Sequence, residues 1–304
     1  MGLTGEEETN IHIAMYVSLS LSLLGSFFIL AMYAVFSELR AFAFKLVVYL
    51  TIADVLKSIC KAQAAYLLPT SGVSCYISAT GISFGSLSSV LWTATIAWSL
   101  YITVVRGRED IQSLERYFHL CCWGVPAGMA VLPFTTNSYG PAQGWCWVAA
   151  SKDSLWIGTM WRLLVFYIPL WMVIPLNIYF YARIIKAIRV HSSSGLIEVI
   201  EIRDTLIRRL RFYPFVLIIC YVSVTIKRIY DFIDPEEGNM TLSLVAASTM
   251  CLNGLLNALV YGLTGSVKDA IRQRFESRSR SGSLLSDDAI SLPRRSHMNV
   301  RGLN

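Results

Sequence analysis

The chain has 304 residues, of which 55% are hydrophobic and only 15% charged, with a net charge of +6 and a mean hydropathy of +0.53. Soluble domains carry roughly 25% charged residues, so the composition excludes an ordinary soluble globular protein and points to a membrane. Seven cysteines, an odd number, leave at least one unpaired within the chain.

Residues 1–10 hold Glu6, Glu7 and Glu8 but no Lys or Arg. The basic region of a signal peptide is missing, and the first apolar segment is expected to act as its own insertion signal. Seven apolar segments follow, at 11–36, 45–68, 75–105, 117–134, 155–188, 206–233 and 242–263. Each is near the ~20 residues a bilayer requires of a helix. The third contains SATGISFGSLSSVLWTAT, crowded with small residues and hydroxyls and free of charge. Such a face suits close helix–helix approach rather than lipid, so this segment is expected to be the central post of the bundle.

Basic residues set the orientation. With the N-terminus outside, the outer segments hold Lys152 alone, and the inner ones hold twenty Lys and Arg. The positive-inside rule then predicts N-terminus out and C-terminus in. Cys75 and Cys146 fall together on the outer side, where a disulfide is chemically allowed; two free thiols are the alternative. The sequon Asn239-Met240-Thr241 also falls outside, close to the last span. Beyond the seventh segment, Val267, Ile271 and Phe275 recur at i, i+4 and i+8 with Lys268, Arg272 and Arg274 around them. This predicts an amphipathic juxtamembrane helix at 266–276. Residues 277–304 are rich in Ser and Arg and are expected to be a disordered tail, with Ser279, Ser281, Ser283 and Ser296 as phosphorylation candidates. The organisation expected is therefore an extracellular N-terminus at 1–10, a bundle at 11–265, the amphipathic helix and the tail.

Ionisable residues inside spans are expensive and usually functional. Asp54, Lys57 and Lys61 share one helix face in the second segment, Arg162 lies in the fifth, and Lys227, Arg228 and Asp231 lie in the sixth. Two readings compete. In one, Asp54 pairs with Lys57 and Arg228 with Asp231, and Lys61, Arg162 and Lys227 snorkel to headgroups. In the other, Lys57, Lys61, Arg162, Lys227, Arg228 and Asp231 build a cationic pocket for a small anionic ligand, with Arg supplying bidentate contacts. Trp92, Trp161, Tyr167 and Tyr230 are available to stack on a planar group, or to serve as core and interface residues.

Enzyme readings find little support. The four histidines are isolated, no metal cluster or catalytic triad is spaced to act, and no cofactor or nucleic-acid site is indicated. A transporter would be expected to show repeated halves, and a scaffold without exchange activity is a further alternative. A receptor accounts better for cations at one end and a basic rim with a Ser-rich tail at the other.

Seven stretches support that class: SELRAFAFKLVVYLTIADVL, LWTATIAWSLYITVV, YFHLCCWGVP, GWCW, FYIPLW, RIYDFI and LNGLLNALVYG, in order from Ser37 to Gly262. Together they resemble the G-protein-coupled receptors of the cyclic-AMP-receptor type known from slime moulds, and more closely their plant relatives. The resemblance implies a seven-helix plasma-membrane receptor fold and a Cys75–Cys146 bridge. It also implies an inner surface, expected at Arg106, Arg108, Arg189, Arg208 and Arg209, that faces a heterotrimeric G protein alpha subunit. The chain departs from rhodopsin-like receptors in lacking Asp-Arg-Tyr at the end of the third segment and a proline in Asn257-Ala-Leu-Val-Tyr261. Where the family has Asn-Arg-Ile in the sixth segment, Lys227-Arg228-Ile229 stands here. The basic inner rim equally suits anionic lipid headgroups.

Overall fold

The computed structural model describes residues 5–66, 72–108, 110–142, 145–149, 155–192, 213–233 and 239–262, together with 267, 268, 271, 272 and 274. Arg208, Arg209, Lys152 and Ser279, Ser281, Ser283 and Ser296 lie outside the described residues. Of the amphipathic stretch, the described positions 267, 268, 271, 272 and 274 are helical.

Among the described residues up to 262 there are seven long helical segments. They are α1 (Gly5–Val35), α2 (Phe42–Tyr66), α3 (Val73–Arg106), α4 (Gln112–Thr136), α5, α6 (Tyr213–Ile233) and α7. Segment α5 runs as Leu155–Arg162, a π-helical turn at Leu163–Tyr167, and Ile168–Ser192. Segment α7 is Met240–Cys251 and Asn253–Gly262, bent by 44° at Leu252. A β-hairpin, β1 (Tyr139–Ala142) and β2 (Trp145–Val148), joins α4 to α5. The all-α expectation is amended by these two strands. Helix α1 begins six residues earlier than the sequence suggested, with Glu6 and Glu7 in its first turn, where a helix dipole favours acids.

By length and apolarity, α1, α3, α4 and α5 each suffice to cross a membrane, and the bent pair of α7 makes a fifth. The chain is accordingly a helical membrane protein. Helices α2 and α6 are not among these five, and both carry several charges; their side chains, described below, are turned into the protein.

Local chemistry explains the irregularities. The π-turn Leu120–Gly124 in α4 stands just before Pro126, and the one in α5 just before Pro169. A proline lacks the N–H that would bond four residues back, and the wider turn absorbs the missing bond. Helix α3 ends at Gly107, whose φ of 64° is left-handed and whose N–H returns to the Ile102 carbonyl.

Helix α3 packs against α2, α4, α5 and both strands, so it is the central post. Around it, α1 lies on α2 and both halves of α7, and α6 lies on α5 and α7. The apolar core forms two clusters. One, at the hairpin end, includes Met15, Ile82, Trp147, Phe166 and Val224. The other, at the opposite end, includes Ile29, Leu50, Trp92, Tyr181 and Tyr261. In sequence, Ser22 and Ser26 of α1, Asp54 and Lys57 of α2, and Asn253 and Asn257 of α7 fall between members of the two clusters, and Ser89 of α3 joins them through its hydrogen bond to Asp54. A polar layer divides the core.

At the end away from the hairpin, Glu115 of α4 ties α2 to α4. It pairs with Lys45 at 2.6 Å and accepts from the Tyr49 hydroxyl at 2.8 Å. Its neighbour His119 accepts from the Trp123 indole at 3.1 Å. Helices α2 and α3 meet through Gly85, where an added Cβ would lie 2.9 Å from the Lys57 Cβ and 3.1 Å from its Cα. Two backbone-proximal contacts of that length leave no flexible neighbour to yield. Gly85→Val is therefore expected to force α2 from α3, at a cost of about 1–3 kcal/mol or more. A melting temperature in detergent equal to that of the wild type would contradict this packing.

Candidate functional site

Asp54 is 1% exposed and holds four donors. Its Oδ1 accepts from Lys57 at 2.7 Å, Ser89 at 2.7 Å and Asn253 at 2.9 Å, and its Oδ2 accepts from Asn257 at 2.7 Å. One carboxylate thus joins α2, α3 and α7. The i, i+3 spacing of Asp54 and Lys57 along α2 brings the acid and base together on one face.

Helix α1 joins through the break in α7. In an unbroken helix the N–H of Gly254 would bond the carbonyl of Met250. Here that N–H donates to Ser22 Oγ at 3.0 Å, and the Met250 carbonyl accepts from Lys61 Nζ at 3.2 Å. Two side chains from neighbouring helices have replaced one rung of the ladder, which is a recognised cause of a kink.

Toward the hairpin, the strands pair with Gly140 opposite Trp147 and Pro141 opposite Cys146. Strand alternation puts Trp145 and Trp147 on one face and Cys146 and Val148 on the other. Cys146 is bonded to Cys75 at the start of α3, with Cα atoms 5.3 Å apart and a sequence separation of 71. Two strands alone are marginal in stability; the disulfide and buried indoles hold them. Burial also pushes the Tyr139 hydroxyl up to about 12, so it keeps its proton and donates to the Ala130 carbonyl at 2.8 Å.

Trp147 is the meeting point of the site. Its indole N–H donates to Ser83 of α3 at 3.0 Å. The guanidinium of Arg228 lies 5.8 Å from its ring and 5.5 Å from that of Trp145, and Arg162 lies 5.9 Å from the Trp147 ring. These are cation–π distances. Arg162 also donates through Nε to the Val148 carbonyl at 2.9 Å. Asp231 takes Lys227 at 2.8 and 2.9 Å and Arg228 at 3.3 Å. Beneath the indoles is a cavity of about 20 Å³ whose walls include Lys61, Ser86, Trp145, Trp147, Tyr167, Tyr221 and Arg228.

The structure therefore gathers Lys61, Arg162, Lys227, Arg228 and Asp231 around the hairpin end and holds Lys57 in the polar layer. The ion pairs Asp54–Lys57 and Arg228–Asp231 both occur. The snorkelling of Lys61, Arg162 and Lys227 does not. Lys61 is 3% exposed, Lys227 bonds Asp231, and Arg162 turns to the hairpin backbone. Trp92 is fully buried in the other core cluster against Tyr49 and Trp123, and it does not wall the cavity. Arg106, Arg108 and Arg189 are exposed on the ends of α3 and α5 away from the hairpin.

Sequence reasoning passed over Asn253, Asn257, Ser89 and Tyr221, and it used GWCW only as a motif. Two amides at i, i+4 within an apolar span were the available signal, as were two indoles at i, i+2 around the bridging cysteine.

Residues 3–248 match the family model described as slime mold cyclic AMP receptor. The chain belongs to that family. Three relatives agree. G-protein coupled receptor 1 of Arabidopsis thaliana is 34% identical over 90% of this chain and 84% of its own length. Cyclic AMP receptor-like protein A of Dictyostelium discoideum is 28% identical over 82% of this chain and 63% of its own. G-protein coupled receptor 157 of Mus musculus is 31% identical over 49% of each. The protein is a membrane receptor of this family, and its disulfide spans from α3 to the hairpin.

The buried pair in this receptor is open to a direct test. Asp54→Asn strands the Lys57 ammonium and is expected to cost about 3–5 kcal/mol. Adding Lys57→Met should restore most of the loss. Thermal unfolding of the purified variants reads both, and a double variant no more stable than the single would contradict the pairing.

Proposed function

We propose that this receptor crosses the plasma membrane seven times, with the hairpin end outside, and answers a small anionic ligand by activating a heterotrimeric G protein. The observation that carries the ligand class is the charge at the hairpin end. Four cations on α2, α5 and α6, Lys61, Arg162, Lys227 and Arg228, stand there with one acid, Asp231, which already holds Lys227 and Arg228. An arriving carboxylate or phosphate would meet Lys61, Arg162 and Arg228, with Trp145 and Trp147 available to stack on a planar group. Four relatives are named as cyclic AMP receptors or receptor-like proteins, and a cyclic nucleotide has the required anionic and planar parts.

The same cavity, at about 20 Å³, holds a water-sized particle and not a nucleotide. Binding then requires the hairpin or the ends of α5 and α6 to part, which is the population shift a receptor needs. The spans of α2 and α6 are supported by their buried ion pairs, which satisfy inside the bundle the charges that would forbid lipid exposure. Orientation is supported by the disulfide, which persists in oxidising compartments, and by the basic residues at the other end, Arg40, Lys45, Arg106, Arg108, Arg116, Arg183, Lys186 and Arg189. There the alpha subunit would meet Arg106, Arg108 and Arg189, joined by Arg208 and Arg209 from the stretch between α5 and α6; the Ser-rich tail would be open to phosphorylation.

Ligand-dependent nucleotide exchange on a purified alpha subunit tests the coupling. Cyclic AMP and other small organic phosphates and carboxylates should include one that raises the exchange rate; a flat response to all of them would sink the proposal. Arg228→Ala, with surface expression confirmed, should weaken the response by about ten- to a hundredfold, as expected for loss of a charged hydrogen bond. Loss of surface expression instead would assign Arg228 to folding.

A further inference from the structure

Lys61 has an uncompensated charge. Its ammonium carries three donors, of which one reaches the Met250 carbonyl at 3.2 Å. Among the described residues no carboxylate lies within ion-pairing distance of it, and the nearby Asp54 is filled by Lys57, Ser89, Asn253 and Asn257. Lys61 walls the small cavity together with Tyr167 and Tyr221. The buried Tyr167 hydroxyl lies against Arg228 and that of Tyr221 against Lys57; both neighbours are donors, so neither O–H proton meets an acceptor among the described residues. Arg228 adds a second cation to the same wall, and its acid, Asp231, also holds Lys227.

Buried charges and donors in native proteins find partners. A water molecule would fill the space and accept hydrogen bonds, but would leave the ammonium unbalanced. A phosphate or nucleotide does not fit. The remaining walls, Ile82, Trp147, Phe166 and Val224 among them, offer aromatic and aliphatic carbon. Such walls favour a weakly hydrated anion over a strongly hydrated one.

We propose that the cavity between Lys61, Tyr167, Tyr221 and Arg228 is a binding site for a monatomic anion of the halide class, chloride above all, resident in the unliganded receptor. This deepens the reading of the hairpin-end cations as an anion site and rests on it. The resident ion balances Lys61 while the bundle is closed. A larger ligand bringing its own anionic group to the same cations takes over that balance, so halide and ligand compete.

The test uses the full-length receptor, purified in detergent, with neither G protein nor agonist. Its melting temperature is followed as chloride replaces gluconate at constant ionic strength, and then as bromide does. A halide that binds only the folded state raises the melting temperature along a saturating curve. Lys61→Gln keeps a donor for the Met250 carbonyl and removes the charge; it is expected to move the midpoint of that curve up at least tenfold. Tyr221→Phe, which deletes one hydroxyl, should move it up severalfold and serves if the first variant does not fold. Equal melting in chloride and gluconate, or an unchanged midpoint in either folded variant, would overturn the proposal. Agonist-driven exchange that persists alongside either result would overturn the resident ion alone. A saturating halide curve sensitive to Lys61, in a receptor that activates no alpha subunit, would support the ion and count only against coupling.

Discussion

The Asp54 carboxylate is the constraint on which the rest of this bundle depends. A lone carboxylate in an apolar interior is costly, and here four donors from α2, α3 and α7 converge on it. Each donor is buried, so none has water as an alternative, and the arrangement of these helices follows from satisfying one anion. Gly85 lets α3 come close enough at the level of Lys57 for this to happen. The two apolar clusters on either side fill space, while the layer between them fixes which helices stand together.

Above that layer, the electrostatics reverse. The polar layer has its own acid for its lysine, whereas the hairpin end has cations in excess and meets them with indoles, carbonyls and one aspartate. Arg162 and Arg228 approach the same Trp147 ring from α5 and α6, on a strand tied covalently to α3. Side chains of three helices therefore meet on one indole: Ser83 of α3, Arg162 of α5 and Arg228 of α6. Anything that competes for those guanidiniums acts on α5 and α6 together.

Much of the fold was legible from residues alone. Long apolar runs located the helices, the small residues of α3 marked the post, and the same-face spacing of Asp54 and Lys57 made their pairing one of two open readings. The hairpin was not legible, because Tyr139–Ala142 and Trp145–Val148 are too short to display a strand period against a loop background. Nor was the direction taken by Lys61. Long cationic side chains near span ends usually reach for headgroups, and only the break in α7 supplies the free carbonyl that draws this one inward. The π-turns follow from Pro126 and Pro169 once the helices are known, since the prolines state where a bond is missing but not how the helix absorbs it.

The bend in α7 differs in kind from a proline kink. A proline removes its N–H permanently, so such a helix stays bent whatever surrounds it. In α7 both halves of the missing rung are intact: Gly254 keeps its N–H and Met250 keeps its carbonyl, each lent to a side chain of another helix. If Ser22 and Lys61 withdraw, the two groups are free to bond each other, at the cost of the one hydrogen bond that holds the Lys61 ammonium. The bend is thus held from outside the helix, and one of its two holds is the same lysine that walls the cation-lined cavity.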